Sequence, residues 1–444
     1  MSQPSRTVSW RTAASIAVAN MVGTGVFTSL GFQLIDLESG FALLALWLVG
    51  GVVALCGALT YGELAAALPR SGGELNFLSN LYHPAVGFLA GWISVVMGFA
   101  LPIALAAMAF GDYWHQVFPN IPALPTACLV VAAVTAAHLV DLRVGAWFQN
   151  VFTIFKVGLI VVFIAVTGAW FLGGGAAQTI SFAPDAQAWG EIFSAPFAVS
   201  LLYVMFAYTG WNAATYIIDE IETPEKSVPR ALVLGTLLVT ILYTGLNWSF
   251  LVAAPAEDMR GQVEVGHIAA SYVFGPEGGR WMSAFLCFAL ISSISAMTWA
   301  GPRVTQVLGQ DYAFFRWFAQ TAEQGVPRRA VVTQSLLVIV LLVTSDFQSL
   351  LIYTQFTLAL SSALTVAGVF ILRRRAQAES LPYRTWLYPL PPLIFLVISL
   401  TTLAFTLEQH PWESILGLVT VLLGLPIYLL SPKIAGDPPS PTLR

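Results

Sequence analysis

Two short glycine-bearing interruptions, Gly23-Thr24-Gly25 and Tyr208-Thr209-Gly210-Trp211-Asn212, sit inside otherwise apolar segments of this 444-residue chain. A helix broken at membrane depth exposes backbone groups that lipid cannot satisfy, so such breaks normally line a buried cavity or binding site. The half-helix after a break presents unpaired N–H groups and the positive end of its dipole; the half before it ends in unpaired carbonyls. These ends suit a zwitterion. A carboxylate would rest against the N–H groups around Gly23, Thr24 and Gly25, and an ammonium would meet carbonyls near Ala19, Phe206 and Ala207. The competing reading of the glycines is close packing between helices, which has no reason to recur at matching places in two halves of a chain.

Lys156 is the one clear ionisable residue near the middle of an apolar span. On a helix it shares a face with Thr153 and Gln149, at spacings of three and four. A lysine facing lipid at depth costs about 2.5–3.5 kcal/mol or more, which argues that this face points into the bundle. The alternative is a side chain snorkelling to the membrane edge. Its proton is a candidate participant in a transport cycle. Ser292, Ser293 and Ser295 offer hydroxyls to an ammonium or a pathway, unless they bond their own backbone. No Asp or Glu falls at mid-depth, and Glu63 lies near the end of its span, so a neutral amino acid fits better than a polyamine. Aromatic faces can nevertheless hold a cation. His83, His115, His138, His267 and His410 lack metal-ligand spacing, and no nucleophile–base pair points to an enzyme. No metal or cofactor is expected.

The elements that position these residues follow from composition. The chain is 57% hydrophobic and 9% charged, against roughly 25% charged in soluble domains, which makes it an integral membrane protein of all-α class. Mean hydropathy is +0.78. Segments long enough to cross a bilayer fall near 12–36, 41–67, 85–112, 122–140, 146–172 and 193–218, then 231–254, 281–301, 330–345, 347–372, 386–407 and 413–431. The expectation is about twelve spans. With the N-terminus inside, only Arg260 and Arg280 lie outside, and the remaining 16 of the 19 Lys and Arg residues, Lys156 apart, lie on the cytoplasmic side. Both termini are then cytoplasmic. Cys56, Cys128 and Cys287 fall in apolar spans as small hydrophobes, with no disulfide framework.

The two interruptions are about 186 residues apart, from Gly23 to Thr209, and each opens a run of five apolar segments. Five is odd, so consecutive units enter the membrane in opposite senses. One transporter domain over 1–444 is expected, with inverted repeats at 12–172 and 193–372 and two further spans within 386–431.

Five local patterns give this chain its resemblance to the amino acid, polyamine and organocation transporters: GTGVF at 23–27, YGELAAALPRSGGE at 61–74, VFTIFK at 151–156, FAYTGWN at 206–212 with EIETPEKSVPRA at 220–231, and GPR at 301–303. The resemblance implies ten helices in two inverted repeats with broken helices 1 and 6, the LeuT-like arrangement, usually followed by two more. It implies that Val22, Gly23, Thr24 and Gly25 contact the substrate carboxylate, that backbone around Phe206 and Ala207 takes the amine, that Phe206 closes over substrate and that Asn212 lies at the pocket edge. Asn212 can equally cap the second half-helix, and Phe206 can be ordinary packing. Lys156 matches a lysine that replaces a bound sodium ion, with Ser292 or Ser293 as partner. Thr209 stands where glycine or serine is frequent, which favours small or medium side chains. The expected activity is sodium-independent transport of neutral L-amino acids by alternating access, with protons as a candidate partner and no nucleic acid, in a plasma membrane of bacterial inner-membrane type. Exchange against a cationic or decarboxylated partner, or sensing without transport, are the alternatives.

Overall fold

A computed structural model describes residues 8–140, 146–175, 180–320, 327–375 and 381–431, without the side chains of 140, 146–150 and 307. The described residues are helical apart from connections and an isolated parallel bridge between Val8 and Ile221.

The first span is two helices. α1 (Trp10–Met21) begins where Ser9 Oγ accepts the Thr12 N–H at 3.3 Å, which satisfies one of the N–H groups a helix start leaves unpaired. α2 (Gly25–Gln33) follows at a bend of 41°, and no side chain caps its first turn. α3 (Gly40–Ala67) is capped by Ser39. The short α4 (Gly73–Leu81) leads to α5 (Pro84–Ile93), which a π-helical turn over Ser94–Gly98 joins to α6 (Ala100–Val117). α7 (Ala123–Val140) and α8 (Ala146–Leu172) complete the first half.

The second half opens with the expected interruption: α10 (Ala195–Ala207) ends at the Tyr208–Asn212 break and a 3-10 helix follows over Ala213–Glu220. The departure lies before it, where α9 (Ala186–Ile192), outside the expected 193–218, stands at 64° to α10. Ser194 and Pro196 start α10 afresh, and Gly210 at φ +97° prevents its continuation, because side-chain-bearing residues rarely adopt that conformation. α11 (Pro224–Ala253) and the single turn α12 (Ala256–Met259) precede α13 (Val265–Asp311), far longer than the expected 281–301. A change of direction at Gly275, φ +78°, divides α13. α14 (Arg328–Thr344), α15 (Phe347–Arg375), α16 (Leu390–Gln409) and α17 (Pro411–Leu430) follow.

Among the described residues, eight helices are long and apolar enough to cross a membrane, or ten if each bent pair is one span. The core holds Trp47, Tyr61, Tyr113, Tyr208 and Tyr243, all fully buried. Leu422, Leu423, Leu429 and Leu430 of α17 face outward, the apolar-outside pattern of a chain whose solvent is lipid. At the far end of α2, Phe32 stacks on Phe347 of α15 at 5.7 Å and on Tyr203 of α10 at 5.9 Å. At the opposite end of the bundle, Arg373 of α15 forks onto Glu63 of α3, Nε to Oε1 at 2.7 Å and Nη2 to Oε2 at 2.8 Å. The Thr385 N–H adds a third bond to the same carboxylate at 2.6 Å.

Candidate functional site

The two breaks touch. A methyl group added at Gly25 would lie 2.6 Å from Ala207 Cα, and one added at Gly210 would lie 2.8 Å from the Asn20 carbonyl carbon, so each break seats against the helix end of the other. Only the absence of side chains at these two positions allows that approach.

The N–H side of the first break is open. Gly23 N–H turns back to the Met21 carbonyl at 2.7 Å, while the N–H groups of Thr24, Gly25 and Val26 meet no acceptor among the described residues. Three unpaired donors at a helix start favour an anion. Gly23 and Thr24, with Phe27 and Thr28 of α2, line a small cavity that also takes in Tyr113 of α6, Lys156 of α8, and Leu286, Ala289, Leu290 and Ser293 of α13. Val22 is fully buried at the bend and does not line it.

Lys156 is 3% exposed and donates from Nζ to Ser293 Oγ at 2.7 Å, its one hydrogen-bond partner among the described residues. A lysine has three N–H donors, so the others remain for the cavity. Toward the break it shares that cavity with Gly23 and Thr24 and makes no hydrogen bond to either among the described residues. Of the polar stripe proposed with it, Thr153 is half-buried, and the Gln149 side chain lies outside the described residues. The structure separates the three serines: Ser293 takes Lys156, Ser295 meets His138 Nε2 at 2.9 Å, and the buried Ser292 hydroxyl has no partner among the described residues.

The carbonyl side of the second break is not open in this conformation. Phe206 O accepts from the Thr209 N–H at 3.0 Å and from Thr209 Oγ1 at 2.7 Å. Ala207 O accepts from Tyr243 Oη of α11 at 3.1 Å, and the same hydroxyl reaches Met21 O at the first break. One O–H proton serves two carbonyls, one from each break, so the hydroxyl ties the two chain ends to α11 and leaves one lone pair short of a donor. Phe206 and Ala207 are buried, and neither they nor Asn212 line the cavity. Asn212 does not cap the 3-10 helix with its side chain, which reaches Tyr216 Oη at 3.5 Å; its backbone carbonyl accepts from Thr215 instead.

Sequence reasoning passed over Tyr243 and Tyr113. Each places a hydroxyl within an apolar segment, where a buried tyrosine usually needs a partner, and that was the available signal. Tyr113 Oη donates to Phe27 O at 2.8 Å and accepts the Gly266 N–H at 3.2 Å, which fixes α2 against α13.

The family model for amino acid permeases matches residues 8–425. The b(0,+)-type amino acid transporter 1 of Homo sapiens is 26% identical over 426 residues, covering 94% of this chain and 86% of that protein. The serine/threonine exchanger SteT of Bacillus subtilis (strain 168) is 27% identical, with 94% of each chain covered. Asc-type amino acid transporter 1 of Mus musculus is 26% identical over 437 residues, covering 94% of this chain and 79% of that one.

Proposed function

The chain belongs to the amino acid permease family, membrane transporters rather than enzymes, and from that premise we propose that it carries neutral L-amino acids of small to medium size by alternating access without sodium. The observation that carries this reading is the cavity at the first break: unpaired N–H groups on one side, Lys156 on the other, and no Asp or Glu among its lining residues. The substrate carboxylate binds at Gly23, Thr24 and Gly25, beside Val22. Its ammonium takes the carbonyls of Phe206 and Ala207 once Thr209 and Tyr243 yield them, with Phe206 closing over the site and Asn212 at its edge. An adjacent apolar cavity, which shares Phe27 and is walled by Phe163, Leu246 and Phe250, likewise carries no carboxylate that would select a cationic side chain. Lys156 holds its ammonium where a sodium ion would otherwise bind, Ser293 orients it, and its proton is a candidate coupling partner. Ser292, the other serine offered to Lys156, has no hydrogen-bond partner for its hydroxyl among the described residues.

The proposed architecture is twelve spans, two inverted five-helix repeats over 12–172 and 193–372, and two further helices, in a plasma membrane with both termini inside. Packing supports the repeat. Helices at equivalent places in each half lie on one another: α2 with α10, α3 with α11, α6 with α13 and α7 with α14. A two-fold relation between repeats brings such pairs together at its axis.

Uptake of labelled amino acids into liposomes holding the purified protein tests the reading. Uptake of a neutral amino acid, equal in sodium and in choline medium, is expected; strict dependence on sodium, or transport of cationic amino acids alone, overturns it. The relation to a serine/threonine exchanger favours a second reading, obligatory exchange. It requires that uptake cease when the vesicle interior holds no amino acid.

A further inference from the structure

The SGGE end, residues 71–74, of the long pattern at 61–74 has no part in the cavity. It builds a second buried polar site, at the end of the bundle where Arg373 meets Glu63. Gly72 and Gly73 hold φ +117° and +52°, and the chain passes so close beneath the 3-10 helix that a methyl group at Gly73 would lie 2.6 Å from the Tyr216 ring. Ser71 and Asp219 exchange bonds across the same junction: Ser71 N–H to Asp219 Oδ2 at 3.1 Å and Asp219 N–H to Ser71 Oγ at 3.0 Å. The turn therefore ties the segment after the second break to α4.

Directly behind it, Glu74 is 7% exposed. Its carboxyl meets hydroxyls only: Tyr61 Oη of α3 at 2.7 Å, Ser361 Oγ at 2.8 Å and Ser362 Oγ at 3.1 Å, the last two from α15. Among the described residues no cation pairs with it. Of the charged and titratable groups on the elements packed around it, Arg373 is held by Glu63, Arg375 bonds Asn80 O, Arg374 is exposed, and α5 offers none. Tyr61 faces it from α3, Tyr216 faces it from the 3-10 helix, and Asp219 is engaged by Ser71. A carboxylate this dry and without a counter-ion is costly, whereas the acid form is at home among hydroxyls that both donate and accept.

We infer that Glu74 is a proton-binding site whose occupied form closes the 71–74 turn and the 3-10 helix onto α3 and α15. The proton comes from water at that end of the bundle, converts the carboxylate to the acid as water is expelled, and returns when the end opens and the carboxylate is hydrated again. Burial pushes the Glu74 carboxyl above the ordinary glutamate range, and the three hydroxyl donors pull back against that rise. A raised carboxyl affinity in the closed form means that closure is favoured as pH falls and loses that support as pH rises through the closed-form value.

Proton binding can be read without transport, so this inference, which rests on the transporter reading only for its gating consequence, fails or stands separately from it. Infrared titration of the purified protein in lipid nanodiscs, with no substrate present, should show a protonated-carboxyl band that persists above the ordinary glutamate range and is missing from Glu74→Gln. Identical spectra for the two proteins at every pH overturn the site. Tyr61→Phe keeps the ring packing and removes one donor to the anion, so the band should titrate about one pH unit higher, a tenfold gain in proton affinity. It also serves if Glu74→Gln fails to fold; an unmoved or lowered midpoint overturns the geometry. In liposomes, exit rates that fall with internal pH in the wild type and lose that dependence in Glu74→Gln complete the expectation, and an unchanged pH profile overturns the gating role.

Discussion

Lys156 and Ser293 are joined across two helices by a 2.7 Å bond inside the cavity of the first break, and the side-chain roles turn on that bond. Lys156→Ala should reduce uptake to background or remove its pH dependence, measured in liposomes at several external pH values; full uptake with an unaltered profile contradicts the role. The two neighbouring serines separate packing from function. Ser292→Ala removes a buried hydroxyl that bonds nothing among the described residues, so the thermal midpoint should stay or rise and uptake should persist, whereas Ser293→Ala should slow uptake. Tyr243→Phe leaves the carbonyls of Met21 and Ala207 without their shared donor, at a cost of about 1–3 kcal/mol, visible as a lower thermal midpoint together with weakened uptake. Lys156 was legible because a charge in an apolar span must be accommodated. Tyr243 was not singled out, since a tyrosine on an apolar helix looks the same whether its hydroxyl meets one carbonyl or two.

At the scale of elements, the paired breaks depend on contact between α2 and α10. Gly25→Ala drives a methyl group into the backbone of Ala207, which cannot swing aside as a side chain would; overpacking of this kind costs about 1–3 kcal/mol. Gly210→Ala adds an unfavourable left-handed conformation, about 1–2 kcal/mol, to a similar clash with Asn20. Both variants should lose uptake and melt earlier, while Gly158→Ala in α8, where nothing lies within 4 Å, serves as a control that keeps uptake and melts no earlier, since alanine suits a helix interior better than glycine. Both glycine breaks were readable as departures from apolar helix. The separation of α9 from α10 ahead of the second break was not, because Ser194 and Pro196 fit the start of a helix and also the first turn of one that continues through the membrane.

For the whole molecule, the two ends of the bundle are closed by different chemistry. One end has the aromatic stack of Phe32, Phe347 and Tyr203; the other has the Glu63–Arg373 pair and the Glu74 site. Movement of α2 and α10 against α15 has to separate the stack, and movement at the other end has to work against the ion pair and the Ser71–Asp219 exchange. Arg373→Ala strands the fully buried Glu63 carboxylate, with a loss of about 3 kcal/mol in stability, at the lower end for a buried pair because the arginine is partly exposed. A thermal midpoint unchanged from wild type would show that water already reaches Glu63.

The sequence by itself determined that the chain crosses a membrane many times, where the helices lie to within a few residues for most spans, and that two breaks and one buried lysine needed an explanation. These are properties of local composition, because lipid forces apolar length and internal backbone pairing onto each segment separately. Tertiary structure alone decided which carbonyls Tyr243 and Thr209 already occupy, which of three nearby serines Lys156 finds, and that Glu74 has hydroxyls for partners and, among the described residues, no cation. Those outcomes depend on which helices face one another across the bundle, and residues hundreds of positions apart, such as Glu74 and Ser361, carry no mark in the sequence of the neighbour they will meet.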